Sequence, residues 1–421
     1  MITQARGGIF YGWRVVAAAF VLAAFGWGLG FYGPPVFLSV VSATRGWPVT
    51  LVSSAITVHY LAGALVGANL PTLNRWLGIP GVTKAAALSL ATGIVGWANA
   101  AEPWQLFGAA LLSGAGWSAM SAAAVNAIVS PWFVRTRPAA LAMAYNGGSV
   151  GGVIFSPLWV VSIAALGFPA AAGAIGLVMV VTTWTLATLV FSKTPEGMGL
   201  APDGDAPGAP AVSLTPAAAR PLPGRQLWRN AGFVTLAAGM GLGLFAQIGT
   251  MSHLFSLLVP ALGSQRAGLA MGLVTVLAVL GRTLTGWMMP LGADRRLVAG
   301  ASYAAQLLGS LVFLTADGAS VPLLLLGVVL FGLGFGNATS LPPLIAQVEF
   351  VPEDVVRVVP LIVAISQAGY AFAPAAFGVI RELAAHASGA SPGAVPLLFL
   401  AAAAVQGLAI AAMLAGRATR S

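Results

Sequence analysis

Apolar residues run through this chain in blocks of about twenty to thirty, broken by short turns that carry Gly, Pro or a few charges. A helix crosses a hydrocarbon core of about 30 Å with about 20 apolar residues. On that rule the blocks predict helices over Trp13–Val41, Pro48–Leu73, Thr83–Ala100, Trp104–Trp132, Ala139–Leu166 and Ala170–Ser192. A second series follows over Asn230–Leu262, Gly268–Pro290, Leu297–Ala316, Val321–Val348, Val355–Ile380 and Val395–Leu414. The fold class is therefore an all-α membrane protein of twelve transmembrane helices. Residues 1–193 and 227–421 form two six-helix halves, joined by a Pro-, Gly- and Ala-rich linker at 194–226.

Composition agrees. Charged residues are 7 % of the chain, against about 25 % in ordinary soluble domains. Cysteine is absent, which removes disulfides, thiol catalysis and thiolate-bound metals from consideration. No cofactor or metal is expected. The net charge of +9 reads as membrane topology and not as a nucleic-acid surface. Of nineteen Lys and Arg, fifteen fall on the side shared by the two termini, and Arg45, Arg266 and Arg381 on the other. The positive-inside rule then puts both termini in the cytosol of a cell whose cytoplasmic membrane the chain spans. No cleavable leader is apparent, because the first apolar block is too long for one.

The remaining cation is Arg282, alone in the apolar stretch Gly268–Pro290 with no acid along it. A charge at mid-membrane costs about 2.5–3.5 kcal/mol on lenient insertion scales, so it should face a wet cavity, where a guanidinium suits an anion. A structural alternative is capping of a neighbouring broken helix. Tyr32 precedes Gly33-Pro34-Pro35, where the prolines should kink the first helix, and its hydroxyl could reach a carboxylate. Tyr145, Asn146, Asn126, Gln247, Asn337, Gln367 and Tyr370 are further polar groups at membrane depth and candidate substrate contacts. With no acid inside the membrane, His59 and His253 are the side chains that could carry a proton near neutral pH, although a lone buried histidine is more often a packing element. Gly147-Gly148 and Gly151-Gly152 read as close helix packing, not as a phosphate loop. The acids Asp203, Asp205, Glu349, Glu353 and Asp354 read as solvated, with a gating role open to Glu349 and Arg357.

The two halves echo each other. Gly67–Gly78 (GANLPTLNRWLG) follows the second helix and Gly286–Arg296 (GWMMPLGADRR) the eighth. These loops resemble degenerate copies of the Gly-x-x-x-Asp-Arg-x-Gly element of the major facilitator superfamily, with Asn74 in place of the acid in the first copy. A narrower resemblance is to the bacterial relatives of monocarboxylate transporters and oxalate–formate antiporters. It rests on Tyr11-Gly12-Trp13-Arg14 with Gly30–Phe37 (GFYGPPVF) and Arg45-Gly46-Trp47, on Ser130–Arg137 (SPWFVRTR), and on Gly281-Arg282. It implies organic-anion transport with Arg282 as the substrate-binding arginine. Two departures matter. The position where proton-coupled members carry an Asp is Ala278, and the eleventh helix lacks the lysine of the oxalate–formate type. One cation without a second suits a monoanion.

The expectation is a secondary carrier of small organic anions, monocarboxylates first, acting as a monomer in the bilayer by antiport, symport or uniport. A drug-efflux carrier of the same fold is the rival, although it would normally keep a membrane-embedded acid. A membrane enzyme or sensor finds no acid–base pair, nucleophile or output domain here.

Overall fold

The computed structural model describes residues 10–204, 224–290, 292–388 and 395–417. Most of the linker, residues 205–223, lies outside them.

Ten apolar helical stretches are long enough to span a membrane among the described residues. Two of them are too long to be single crossings. Val49–Asn99 has 51 residues and Ala231–Met288 has 58, about 75–90 Å at 1.5 Å per residue. Each contains one glycine outside helical geometry, Gly78 (φ 69°, ψ 162°) and Gly263 (φ 73°, ψ 161°), a backbone state that side chains with a Cβ rarely adopt. Dividing the stretches there yields twelve crossings. We number them α1 (Tyr11–Gly30 and Gly33–Arg45), α2 (49–77), α3 (79–99), α4 (Pro103–Ser118 and Ala122–Val129), α5 (Arg137–Leu166) and α6 (Phe168–Leu189). The second half comprises α7 (231–262), α8 (264–288), α9 (Arg295–Ala316), α10 (Val321–Phe335 and Asn337–Glu349), α11 (Pro352–Tyr370 and Ala373–Ser388) and α12 (Pro396–Ala415).

Some sequence expectations need correction. Asn74 and Arg75 lie inside α2, and the chain turns later, at Gly78. Leu77 and Pro80 permit helix up to and after that glycine, so the polar pair alone makes no turn. The fourth, tenth and eleventh helices were each expected to be continuous, yet each is broken: at Ala119–Ser121, at Gly336 and at Ala371–Phe372. Together with the break at Phe31–Tyr32 in α1, four helices are discontinuous at membrane depth. Such breaks survive where protein or a cavity satisfies the exposed backbone.

An even number of crossings returns the chain to the end where it began. At the opposite end the halves are pressed together. The Thr50 amide at the start of α2 donates to Glu382 Oε1 of α11 at 2.8 Å, and the Ala375 amide of α11 donates to Thr57 Oγ1 at 3.1 Å. Between these bonds Gly378 lies so close that a Cβ there would overlap Ser53 Oγ. On the other flank α8 lies along α5, with Gly268 against Pro157 and Val160 and Gly272 against Val153.

The termini's end holds several charges that hydropathy treats as solvated. Arg296 is fully buried, and its Nε and Nη2 donate to the two oxygens of Glu349 at 2.7 and 2.8 Å. Asp354 is buried beside Arg357. Asp203, at the start of the linker, folds back over the α4–α5 turn. Its carboxylate accepts the amides of Val134, Arg135 and Thr136 at 2.8–3.1 Å and the Thr136 hydroxyl at 2.5 Å. Burial opposes its ionisation, but those four donors outweigh it and hold the carboxyl down to about 2. A depressed carboxylate stabilises the fold above its ordinary value near 3.9 and loses that contribution only as pH falls through the folded value. This clasp is therefore constant across neutral pH.

Two outcomes are expected. Gly378→Val should hold the sealed end apart. A Thr57→Cys reporter, in a chain without native cysteine, then reacts faster with an impermeant maleimide added on that side than it does when Gly378 is intact. Asp203→Ala should release the clasp, and trypsin cleavage after Lys193 should become faster than in the parent.

Candidate functional site

Helical spacing fixes the direction of Arg282. Along α8, Gly268 and Thr275 both meet the first half: Gly268 lies on Pro157 and Val160, and Thr275 on Gly152. Arg282 continues this series at an interval of seven, two turns further on, so it projects from the same face. Along α5, Tyr145 stands seven residues before Gly152, again two turns toward the termini's end. The two helices are antiparallel. Arg282 and Tyr145 therefore sit at matching depth, each about 10 Å below the Gly152–Thr275 contact at 1.5 Å per residue.

Asn146 lies on the face of α5 that meets α8 higher up through Val153 and Pro157. At Asn146 that face is exposed. We read this exposure, below the Gly152–Thr275 contact, as a cleft between the halves open toward the termini's end.

The closed end of this cleft is aromatic. Tyr32, at the break in α1, is buried; its ring and the Thr275 hydroxyl both come within 2.7 Å of where a Cβ on Gly152 would lie. The Tyr32 hydroxyl and the Arg282 guanidinium are close enough to interact electrostatically. Tyr60 stands edge-on to Tyr370 across the two halves, centroids 5.9 Å apart, and is near Phe31 and Trp117 at 6.4 and 5.4 Å. Tyr60 was not anticipated, whereas Thr275 shares the Arg282 face by helical spacing alone. Tyr60 follows His59 directly, and only the break in α1 brings Tyr32 beside it.

Arg282 has no carboxylate partner among the described residues, and its Nε is buried without an acceptor. The capping alternative had a helix to cap. The broken α10 touches α8 here, with Gly281 against the Leu333 carbonyl and Gly336 against the Ala278 carbonyl and Arg282 Cβ. No hydrogen bond runs from Arg282 to it. Asn337, just past that break, is buried and donates Nδ2 to Thr285 Oγ1 at 2.9 Å and to Ser302 Oγ at 3.0 Å. It braces the turn of α8 that follows Arg282.

The other sequence candidates separate. Gln367 lies half-buried one turn before Tyr370. Tyr145 donates weakly to the Ala122 carbonyl at 3.4 Å. Asn126 is exposed and accepts from the Ser130 hydroxyl. Gln247 is buried with Oε1 unpartnered. His253 lies near the sealed end, where Nε2 donates to the Pro374 carbonyl at 3.0 Å. His59 is buried with both ring nitrogens engaged, one by Ser113 Oγ and one by the Gly30 carbonyl, each at 2.9 Å. The cluster at the cleft is thus Arg282, Tyr32, Tyr145, Asn146 and Tyr370, with Thr275 and Tyr60 completing it.

An unpartnered cation costs stability in the empty protein. Arg282→Leu should raise the thermal stability of the substrate-free protein by roughly 1–2 kcal/mol, a share of the mid-membrane cost of arginine. A capping arginine would behave oppositely, and a melting curve in detergent separates the two.

Solved structures share this architecture. A mutant form of the nucleoside transporter NupG superimposes with a TM-score of 0.72 at 15 % identity, covering 97 % of this chain and all of that one. A bacterial homologue of the human lysosomal transporter Spinster, inward-facing and unoccupied, superimposes with a TM-score of 0.66 at 14 % identity, over 98 % of this chain and 96 % of that one. At these identities the likeness shows the fold. No curated protein sequence matches significantly. A family profile described as Major Facilitator Superfamily matches residues 16–374; with the helical architecture, it establishes that the chain belongs to the Major Facilitator Superfamily and is a membrane transporter, not an enzyme.

Proposed function

We propose that this transporter carries small organic monoanions, monocarboxylates first, and that the substrate carboxylate pairs with Arg282. The observation that supports this reading is a guanidinium at the closed end of a cleft with no acid to neutralise it. An anion entering from the open end supplies the missing charge, and a planar fork suits a carboxylate bidentately. Tyr32 is close enough to add a hydroxyl donor, while Tyr60, Tyr370 and Phe31 offer apolar surface for a short tail. No second cation joins Arg282 in the cluster, which disfavours dianions. A neutral substrate would leave the arginine charge unanswered, so the fold likeness to a nucleoside transporter does not extend to its cargo.

In this reading both termini are cytosolic, as the fifteen-to-three distribution of Lys and Arg favours, in a bacterial cytoplasmic membrane. The protein is then inward-open, sealed outside by the α2–α11 and α5–α8 contacts. Loading neutralises Arg282 and lowers the cost of closing low-dielectric walls around it. The halves can then rock about the site. The carrier acts as a monomer, and exchange, symport and uniport are all compatible with a single carboxylate-binding arginine.

Uptake of labelled lactate, pyruvate, formate, oxalate and a nucleoside into proteoliposomes tests this. Saturable uptake of a monoanion is expected. Arg282→Ala should reduce its kcat/KM by about 100-fold or more, the scale of losing a charge-assisted pair, and Arg282→Lys should restore part of it. Nucleoside uptake, or monoanion uptake unchanged in Arg282→Ala, would overturn the proposal.

A further inference from the structure

The first helix is broken beside the site, and its backbone needs partners there. In a regular helix the Gly30 carbonyl would accept from the amide of residue 34, which is Pro34 and has none. The Gly28 carbonyl would accept from the Tyr32 amide, which instead donates to the Trp27 carbonyl at 2.9 Å. Both orphaned acceptors are met by side chains from other helices. His59 Nε2 donates to the Gly30 carbonyl at 2.9 Å, and Trp159 Nε1 to the Gly28 carbonyl at 3.2 Å.

We propose that His59 is a positioning residue: a neutral N–H donor that replaces the amide missing at Pro34 and thereby holds Tyr32 toward Arg282. It is not a proton carrier. The inference rests on the anion-carrier reading for its effect on transport, but its structural part stands apart from it.

The surroundings set the tautomer. A carbonyl only accepts, so Nε2 carries the proton. Nδ1 is then an acceptor for the Ser113 hydroxyl at 2.9 Å, which also has the Ala110 carbonyl within reach at 3.2 Å, while Ser113 Oγ in turn accepts Trp97 Nε1–H at 3.1 Å. A second proton, on Nδ1, would turn the Ser113 hydroxyl to the Ala110 carbonyl and place a charge among uncharged groups. The imidazole is enclosed by Tyr60 at 5.3 Å and by Trp117, stacked at 5.5 Å and 24°. The groups facing it from α1, α2 and α4 are a carbonyl, two aromatic rings and a hydroxyl, none of them charged. Space is tight as well: a Cβ at Gly30 would overlap the Trp117 ring, and one at Gly114 would overlap the His59 backbone. Helices α1, α2, α3 and α4 are thus tied through one ring to the residue that presents Tyr32.

The variants divide the donor from the rest. Gln at 59 can place an amide N–H where Nε2 was, Asn can reach only the Nδ1 position, and Leu offers neither. With the anion identified by the uptake assay, His59→Gln should keep KM near the parent value. His59→Asn and His59→Leu should each raise KM about tenfold, the scale of one buried hydrogen bond, with less change in kcat. The pH profile of uptake should be the same in the parent and in His59→Gln. A second readout needs no substrate: amide exchange of residues 29–33 should be slow in the parent and in His59→Gln, and faster in His59→Asn and His59→Leu. Loss of a pH-dependent limb of transport in His59→Gln would overturn the proposal, as would unchanged exchange and KM in His59→Leu. If Arg282→Ala transports normally while exchange still follows the donor, the anion reading fails and the brace remains.

Discussion

Backbone hydrogen bonding in hydrocarbon governs this protein. Each N–H and C=O within the bilayer needs a partner from protein, because lipid offers none. Unbroken helices meet that demand internally. The four interrupted ones need help from neighbours, and where the structure provides it the donors are specific: His59 and Trp159 at α1, His253 near the break of α11, and Gln306, which donates to the Gly334 carbonyl next to the break of α10. The interruptions in α1, α10 and α11 adjoin the cleft residues Tyr32, Arg282 and Tyr370. The site is assembled where regular structure is relinquished, and the supporting side chains are what make that tolerable.

Close approach between helices is the second requirement. The halves have glycine where they are nearest, and at the sealed end Gly378 is the point at which a side chain would push α11 off α2. Two hydrogen bonds, Thr50 to Glu382 and Ala375 to Thr57, complete that seal. A seam closed largely by small residues in close contact can open without breaking a packed core, which suits a transporter that must part it in each cycle. The termini's end is built differently. There, ion pairs such as Arg296–Glu349 and the Asp203 clasp lie within one half, so they stiffen each half as a body without joining the two.

Charge then distinguishes one mid-membrane position from all the rest. Arg296 and Arg381 are also largely buried, but each has partners: Glu349, Thr235 and the Gly232 carbonyl for the first, Ser256 for the second. Arg282 has only the nearby tyrosine hydroxyl. A protein that supplies acceptors to its other buried arginines and withholds them from this one has left room for an external anion. That contrast carries the proposed function further than burial alone.

Much of this was legible in the sequence because hydropathy and charge are local properties. Length and spacing of the apolar blocks determined twelve crossings, and the lone arginine among them marked the candidate site. The prolines after Tyr32 announced the break in α1, since a missing amide is a covalent fact. Other features depended on contacts between distant segments. The break in α11 has the same mark, Pro374 just after it, but those in α4 and α10 have none, for glycine and small residues are frequent throughout the chain. Tyr60 joined the site only because α2 converges on the broken α1. Asp203 and Glu349 read as solvated charges until folding brought four donors to one and a buried guanidinium to the other. Whether a histidine stands ready to titrate or is locked as a donor was likewise decided by neighbours on other helices, Gly30 and Ser113 for His59, because hydrogen-bond partners belong to the tertiary structure and not to the residue.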